Sequence, residues 1–117
     1  MNPLDLLSVI LSGDALAARQ WIADAERADL CWSDVEEPTN LEPGPRAVFA
    51  GLVELLAARH RQRSPAWTAR VGRAPERIYL VHAATKSARM RARLERESPE
   101  PLRKRNVLAP PNYLTVA

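Results

Sequence analysis

Eight cations fall within twenty residues late in the chain, KSARMRARLERESPEPLRKR, as Lys86, Arg89, Arg91, Arg93, Arg96, Arg103, Lys104 and Arg105. If this stretch is helical, Arg89, Arg93 and Arg96 share one strip through their i, i+4, i+7 spacing, as a face that tracks phosphates or carboxylates requires. Arg91 falls off that strip, and Glu95, Glu97 and Glu100 interrupt the positive field. Guanidinium groups make bidentate contacts with carboxylates and are enriched in protein interfaces. Ala, Met and Leu are mixed among the cations here, which favours an acidic protein partner over nucleic acid. The candidate partner-binding residues are therefore Arg89, Arg93, Arg96, Arg103, Lys104 and Arg105.

Other chemistry finds little material. Metal sites draw on several Cys, His or carboxylate ligands at workable spacing. The only Cys and His residues are Cys31, His60 and His82, with no Cys-x-x-Cys or His-Glu-x-x-His. A Cys31 nucleophile assisted by His60 or His82 needs those groups to meet in space, and no catalytic signature surrounds Cys31. The four glycines are scattered, so no loop is built to cradle phosphates. Glu36 and Glu37 form a carboxylate pair, but in an acidic segment they read as a solvated face. The expectation is a binding protein, not an enzyme, with no metal and no cofactor.

The elements that must position the basic strip can be read from caps and periodicity. Asn2 as N-cap and Pro3 at the first helical position open a short helix carrying Leu4, Leu7 and Leu11, which Gly13 can end. Ser12 or Asp14 can cap a second helix reaching about Leu30, with an apolar stripe through Leu16 or Ala17, Trp21, Ala25 and Ala28. The segment CWSDVEEPTNLEPGP holds three prolines and four acids and reads as a loop anchored by Trp32, Val35 and Leu41.

A third helix, with Pro45 near its first position and its end near Gln62, carries the densest apolar run. Glu54 is the only charge between Arg46 and Arg59, so this helix should be buried on nearly every side. Gly72 and Pro75 break the next stretch into ordered irregular structure. The β-prone run Ile78 to Val81 has no evident partner, so no sheet is expected. Helical spacing returns from Ala83 to Glu97, with Ala83, Ser87, Met90 and Leu94 on one face. Ser98 and Pro99 can then act as N-cap and N1 of a short helix through Leu102 to Arg105. The tail NVLAPPNYLTVA is apolar and should pack, extended, over the core.

The resulting fold class is all-α: a small single-domain bundle of four to five helices over residues 1–117, with one ordered irregular segment and an extended tail. A chain of 117 residues with 46% hydrophobic and 26% charged residues suits one core. Its net charge of +3 conceals a division. Up to Ala58 three arginines face ten acids, a net of −7, and beyond it fourteen Lys and Arg face four acids, a net of +10. Opposed halves of this kind can pair within the chain or drive self-association, so a homodimer is a third binding mode. A single cysteine suits a reducing compartment, and the start of the chain lacks a positive leader, so the expected location is cytoplasmic with no membrane span.

Three stretches together, GDALAARQWIADA, GLVELLAARHRQRSPAWT and ESPEPLRKRNVLAPPNYL, resemble a family of small bacterial helical proteins that also occur as C-terminal segments of helix-turn-helix regulators. The resemblance covers nearly the whole chain, with Pro65 to Thr68 and Ser98 to Arg105 as its most characteristic elements. It implies an antitoxin that neutralises a nucleotidyltransferase-like toxin by direct protein contact. The DNA-binding helix-turn-helix of the longer relatives has no counterpart here. A basic nucleic-acid-binding module is the alternative function.

Overall fold

In the computed structural model, which describes residues 1–115, local chemistry explains where each of the first three helices starts or stops. Helix α1 spans Pro3–Leu11, and Asn2 Oδ1 accepts the Leu4 N–H at 3.0 Å. Helix α2 spans Ala15–Arg27 and takes its cap from Asp14, whose Oδ1 accepts the Ala17 N–H at 3.0 Å; its buried stripe is Ala18, Ile22 and Ala25, one position round from the expected one, which leaves Leu16 and Ala28 exposed. Ser12, the other candidate, donates its hydroxyl back to the Val9 carbonyl instead. Helix α3 spans Pro43–Arg59, so Pro43 and not Pro45 stands at its first position. Both prolines are tolerated because first-turn N–H groups have no intrahelical acceptor to lose.

All three helices end alike. A residue with positive φ follows each C-cap: Gly13 at 83°, Asp29 at 52° and Arg61 at 56°. In each case the N–H one residue further reaches back to close the helix, as Asp14 to Val9, Leu30 to Ala25 and Gln62 to Ala57. This is the six-to-one bond of a Schellman ending. It explains why α3 stops at Arg59, short of Gln62. Only Gly13 among the three has the residue type that normally marks such an ending.

Helix α3 runs through the middle of the molecule. Ten of its seventeen residues are buried, Val48, Ala50, Val53 and Ala57 completely. Helix α1, the short helix α5 (Glu100–Arg103) and the 3-10 turns Trp32–Asp34 and Ala66–Arg70 all pack on it. Phe49 stacks on Trp67 with ring centroids 5.9 Å apart, and Trp67 Nε1–H donates to the Val35 carbonyl at 2.8 Å. The loop between α2 and α3 is thereby anchored at Trp32 and Val35, both buried.

At Gly51 the α3 backbone approaches α5 so closely that an added Cβ would lie 2.6 Å from Leu102 Cδ2 and 3.1 Å from the Pro101 carbonyl oxygen.

The expectation of no sheet is corrected on a small scale. Strand β1 (Ile78–Tyr79) pairs in parallel with β2 (Val107–Leu108), Ile78 opposite Val107 and Tyr79 opposite Leu108. The flanking bonds from Ile78 N–H to the Asn106 carbonyl and from Leu80 N–H to the Leu108 carbonyl extend the ladder. Parallel strands need a long crossover, and here it holds a 3-10 turn, helix α4 (Ala88–Glu97) and α5. The architecture remains all-α, five helices with this one minimal sheet among the described residues.

Helix α4 begins at Ala88, later than Ala83, because the 3-10 turn His82–Lys86 precedes it and Ser87 Oγ caps it by accepting the Met90 N–H. Ser98 does not cap α5. Its hydroxyl donates to the Leu94 carbonyl and accepts the Ala109 N–H, and Pro99 stands at the cap position of α5.

The tail packs over the core as far as it is described, but it is extended only in part: Val107, Leu108, Ala109 and Leu114 are buried, residues 111–114 form a turn in which the Tyr113 N–H donates to the Pro110 carbonyl, and Arg59 donates to the carbonyls of Pro111 and Tyr113. Burial pushes the Tyr113 phenol up to about 12. The last two residues of the predicted tail, Val116 and Ala117, lie outside the described residues. The radius of gyration, 13.4 Å, is that of a compact chain of this length. Among the described residues no helix is long and apolar enough to cross a membrane.

Candidate partner-binding face

Helix α4 sits apart from the main core. Only Leu94 on it is buried, in a small satellite cluster with Ala84 and Leu108 that Tyr79, Val81 and Met90 cover. Two polar links fix its rotation. Glu95 accepts hydrogen bonds from Arg77 and from the Tyr79 hydroxyl, the latter at 3.0 Å, which ties α4 to β1. Hydrogen bonding with Tyr79 and the charge of Glu95 raise the Arg77 pKa. On the same inward side Arg91 donates to the Ala84 carbonyl at 3.1 Å. Arg91, which the spacing placed off the strip, is therefore turned to a structural contact.

Leu94, Met90 and Arg91 turned inward leave Arg89, Arg93 and Arg96 exposed on the outward side. Arg93 pairs with Glu97 one turn on, Nε to Oε2 2.6 Å. Exposed pairs of this type contribute about 0.3–0.5 kcal/mol and are readily exchanged for another carboxylate. Arg103 joins this surface from α5: its Nη1 donates to the Arg96 carbonyl at 2.8 Å, satisfying a free carbonyl at the α4 C-terminus. Arg89, Arg93, Arg96 and Arg103 thus form one basic surface around the exposed side and end of α4.

The other two predicted residues do not join it. Lys104 Nζ lies 3.0 Å from Glu54 Oε1 on α3, with about half of its side chain exposed. Arg105 is corrected outright, since it is only 2% exposed and cannot meet a partner. Its guanidinium donates to both Glu54 oxygens, at 2.7 and 2.9 Å, and to the carbonyls of Pro101 and Thr68. Burial alone would raise the Glu54 pKa, but the hydrogen bonds from Arg105 and Lys104 override it and hold it at about 2. Glu54 carried a signal in the sequence, because a lone carboxylate in an apolar helix demands a cation. Which cation answers was not legible, as Arg105 lies 51 residues away.

The opposed charges of the two halves are partly used within the chain. Glu54 with Arg105 and Lys104, and Glu37 with Arg70 at 2.8 Å, cross the border near Arg59. The groups weighed for catalysis have ordinary neighbours. Cys31 Sγ contacts the Ser33 hydroxyl, and His60 Nδ1–H donates to the Leu56 carbonyl. Among the described residues no three His, Cys, Asp or Glu converge as metal ligands.

Sequence reasoning passed over a second arginine group. Arg46, at the start of α3, together with Arg70 and Arg73 lines a cleft of about 360 Å³. The separation of 24 positions between Arg46 and Arg70 hid this cluster from any reading of local spacing. No family model, curated protein or solved structure matches this chain.

Proposed function

We propose that the protein acts by binding an acidic protein partner through the outward face of α4, with Arg89, Arg93, Arg96 and Arg103 as the contact residues. The observation that supports this reading is the division of labour along α4. Glu95, Arg91 and Leu94 hold the helix to the body of the protein, while Arg89, Arg93 and Arg96 are left exposed in one strip. A peripheral helix presenting guanidinium groups suits bidentate recognition of carboxylates. Nucleotidyltransferase sites gather carboxylates to hold metal ions, so the resemblance makes a nucleotidyltransferase-like toxin the first partner to test, the protein serving as its antitoxin.

The test is charge reversal of Arg89, Arg93 and Arg96 to Glu, with partner capture and binding measured for the native and reversed proteins. Because all three side chains are exposed, the variant should keep its helical circular dichroism and melting temperature. Partner affinity should fall at least tenfold, since breaking charge pairs across an interface costs about 2–5 kcal/mol when they are desolvated. Unchanged capture of the partner by the reversed protein would sink the proposal. A gel shift with nucleic acid at low salt, abolished by the same reversals and by added salt, would instead favour the nucleic-acid alternative.

A further inference from the structure

Away from α4, the cleft between the start of α3 and the segment after the 3-10 turn Ala66–Arg70 brings together Arg46, Arg70 and Arg73 with Glu37 as the only lining acid. We infer that this cleft is a binding site for a phosphate monoester, the phosphoryl group held by the three guanidinium groups and the organic part seated against Leu41 and Val71. The inference is independent of the α4 reading, because none of its residues belongs to that face.

Three observations carry it. First, three cations face one carboxylate in a single concave place, and Glu37 is engaged only by Arg70 in an exposed pair that an incoming dianion can displace. Second, Arg46 is underused. Its Nε is buried without a partner, and its Nη2 reaches the Leu41 carbonyl only at 3.4 Å, beyond the ordinary range for such a bond. Arg73 is exposed and has no hydrogen-bond or ion-pair partner among the described residues.

Third, Pro43, the first residue of the seventeen-residue helix α3, lines the cleft, so the positive end of that helix dipole adds to the field of the arginines. Glu42 at the cap position makes no side-chain bond there. A volume of about 360 Å³ exceeds what a bare phosphate fills, and the half-buried Leu41 and Val71 offer an apolar wall to an organic group.

Two probes, inorganic phosphate and adenosine monophosphate, titrated at constant ionic strength and followed by NMR of backbone amides and arginine Nε groups, test the site. Saturable shifts should appear at Arg46, Arg70 and Arg73. The variant R46Q/R73Q should weaken binding at least tenfold, and the α4 variant R89Q/R96Q should leave it unchanged. Should R46Q fail to fold, R73Q alone, in an exposed position, should weaken it at least threefold. Tighter binding of the nucleotide supports an organic phosphate as the ligand, and affinity no higher than that of inorganic phosphate overturns the assignment to a phosphate monoester. Absence of saturable shifts with both probes, or equal loss in R89Q/R96Q, overturns the proposal.

Discussion

Glu54 shows how much one side chain can decide. It is the only acid in the buried helix, its side chain is 11% exposed, and it joins α3 to Arg105 and through it to α5 and Thr68. Replacing one partner of such a pair leaves the other buried and uncompensated, which typically lowers stability by about 3–5 kcal/mol. Glu54→Gln should therefore be among the most damaging single substitutions, read as a shift in the urea midpoint with unchanged slope.

The pH dependence has a defined sign. A carboxylate held at about 2 when folded and near its ordinary value when unfolded contributes fully above roughly pH 4.3, and its contribution fades as pH falls towards 2. Acid titration of the native protein should show that loss, and Glu54→Gln should remove this group's share of it.

At the scale of elements, Gly51 fixes the separation of α3 from α5. Ala would gain about 1 kcal/mol in helix propensity. The added methyl, however, would meet Leu102, which is fully buried, and a backbone oxygen that belongs to α5. Overpacking of this kind costs about 1–3 kcal/mol, so Gly51→Ala should destabilise by about 1 kcal/mol net, measurable by thermal unfolding. A stabilised variant would mean that α5 yields to the methyl.

The helix ends teach a related lesson. Gly13 announces its turn, whereas Asp29 and Arg61 adopt the same left-handed conformation without glycine. The backbone bonds they complete, and the packing beyond them, outweigh about 1–2 kcal/mol of local strain. Gln62, just past Arg61, shows that packing: its Oε1 accepts the Trp32 N–H at 2.6 Å.

Across the whole molecule the stabilising contacts are uneven. Most apolar side chains belong to one large cluster around α3, while α4 rests on a satellite of three buried residues. Local opening free energies follow such differences in burial. Amides of Leu94 to Glu97 should exchange with deuterium well before those of Leu52 to Leu56, and protection of α4 should rise when its partner is bound. Equal protection of the two helices in the free protein would contradict the satellite arrangement.

The sequence alone determined whatever rests on local chemistry. The cap at Asn2, the apolar run of α3, and the strip of Arg89, Arg93 and Arg96 all depend on residues within one or two turns. So did the all-α class, because helical periodicity is a short-range pattern. Tertiary structure alone decided the pairings across distance: Ile78 with Val107, Glu54 with Arg105, and Arg46 with Arg70 and Arg73. It also separated two kinds of arginine that look alike in the sequence. Arg105 and Arg91 bond inward, while Arg89, Arg93 and Arg96 face out. The physical reason is that charge and spacing are properties of a segment, whereas desolvation and the identity of a partner are set only when distant segments pack together.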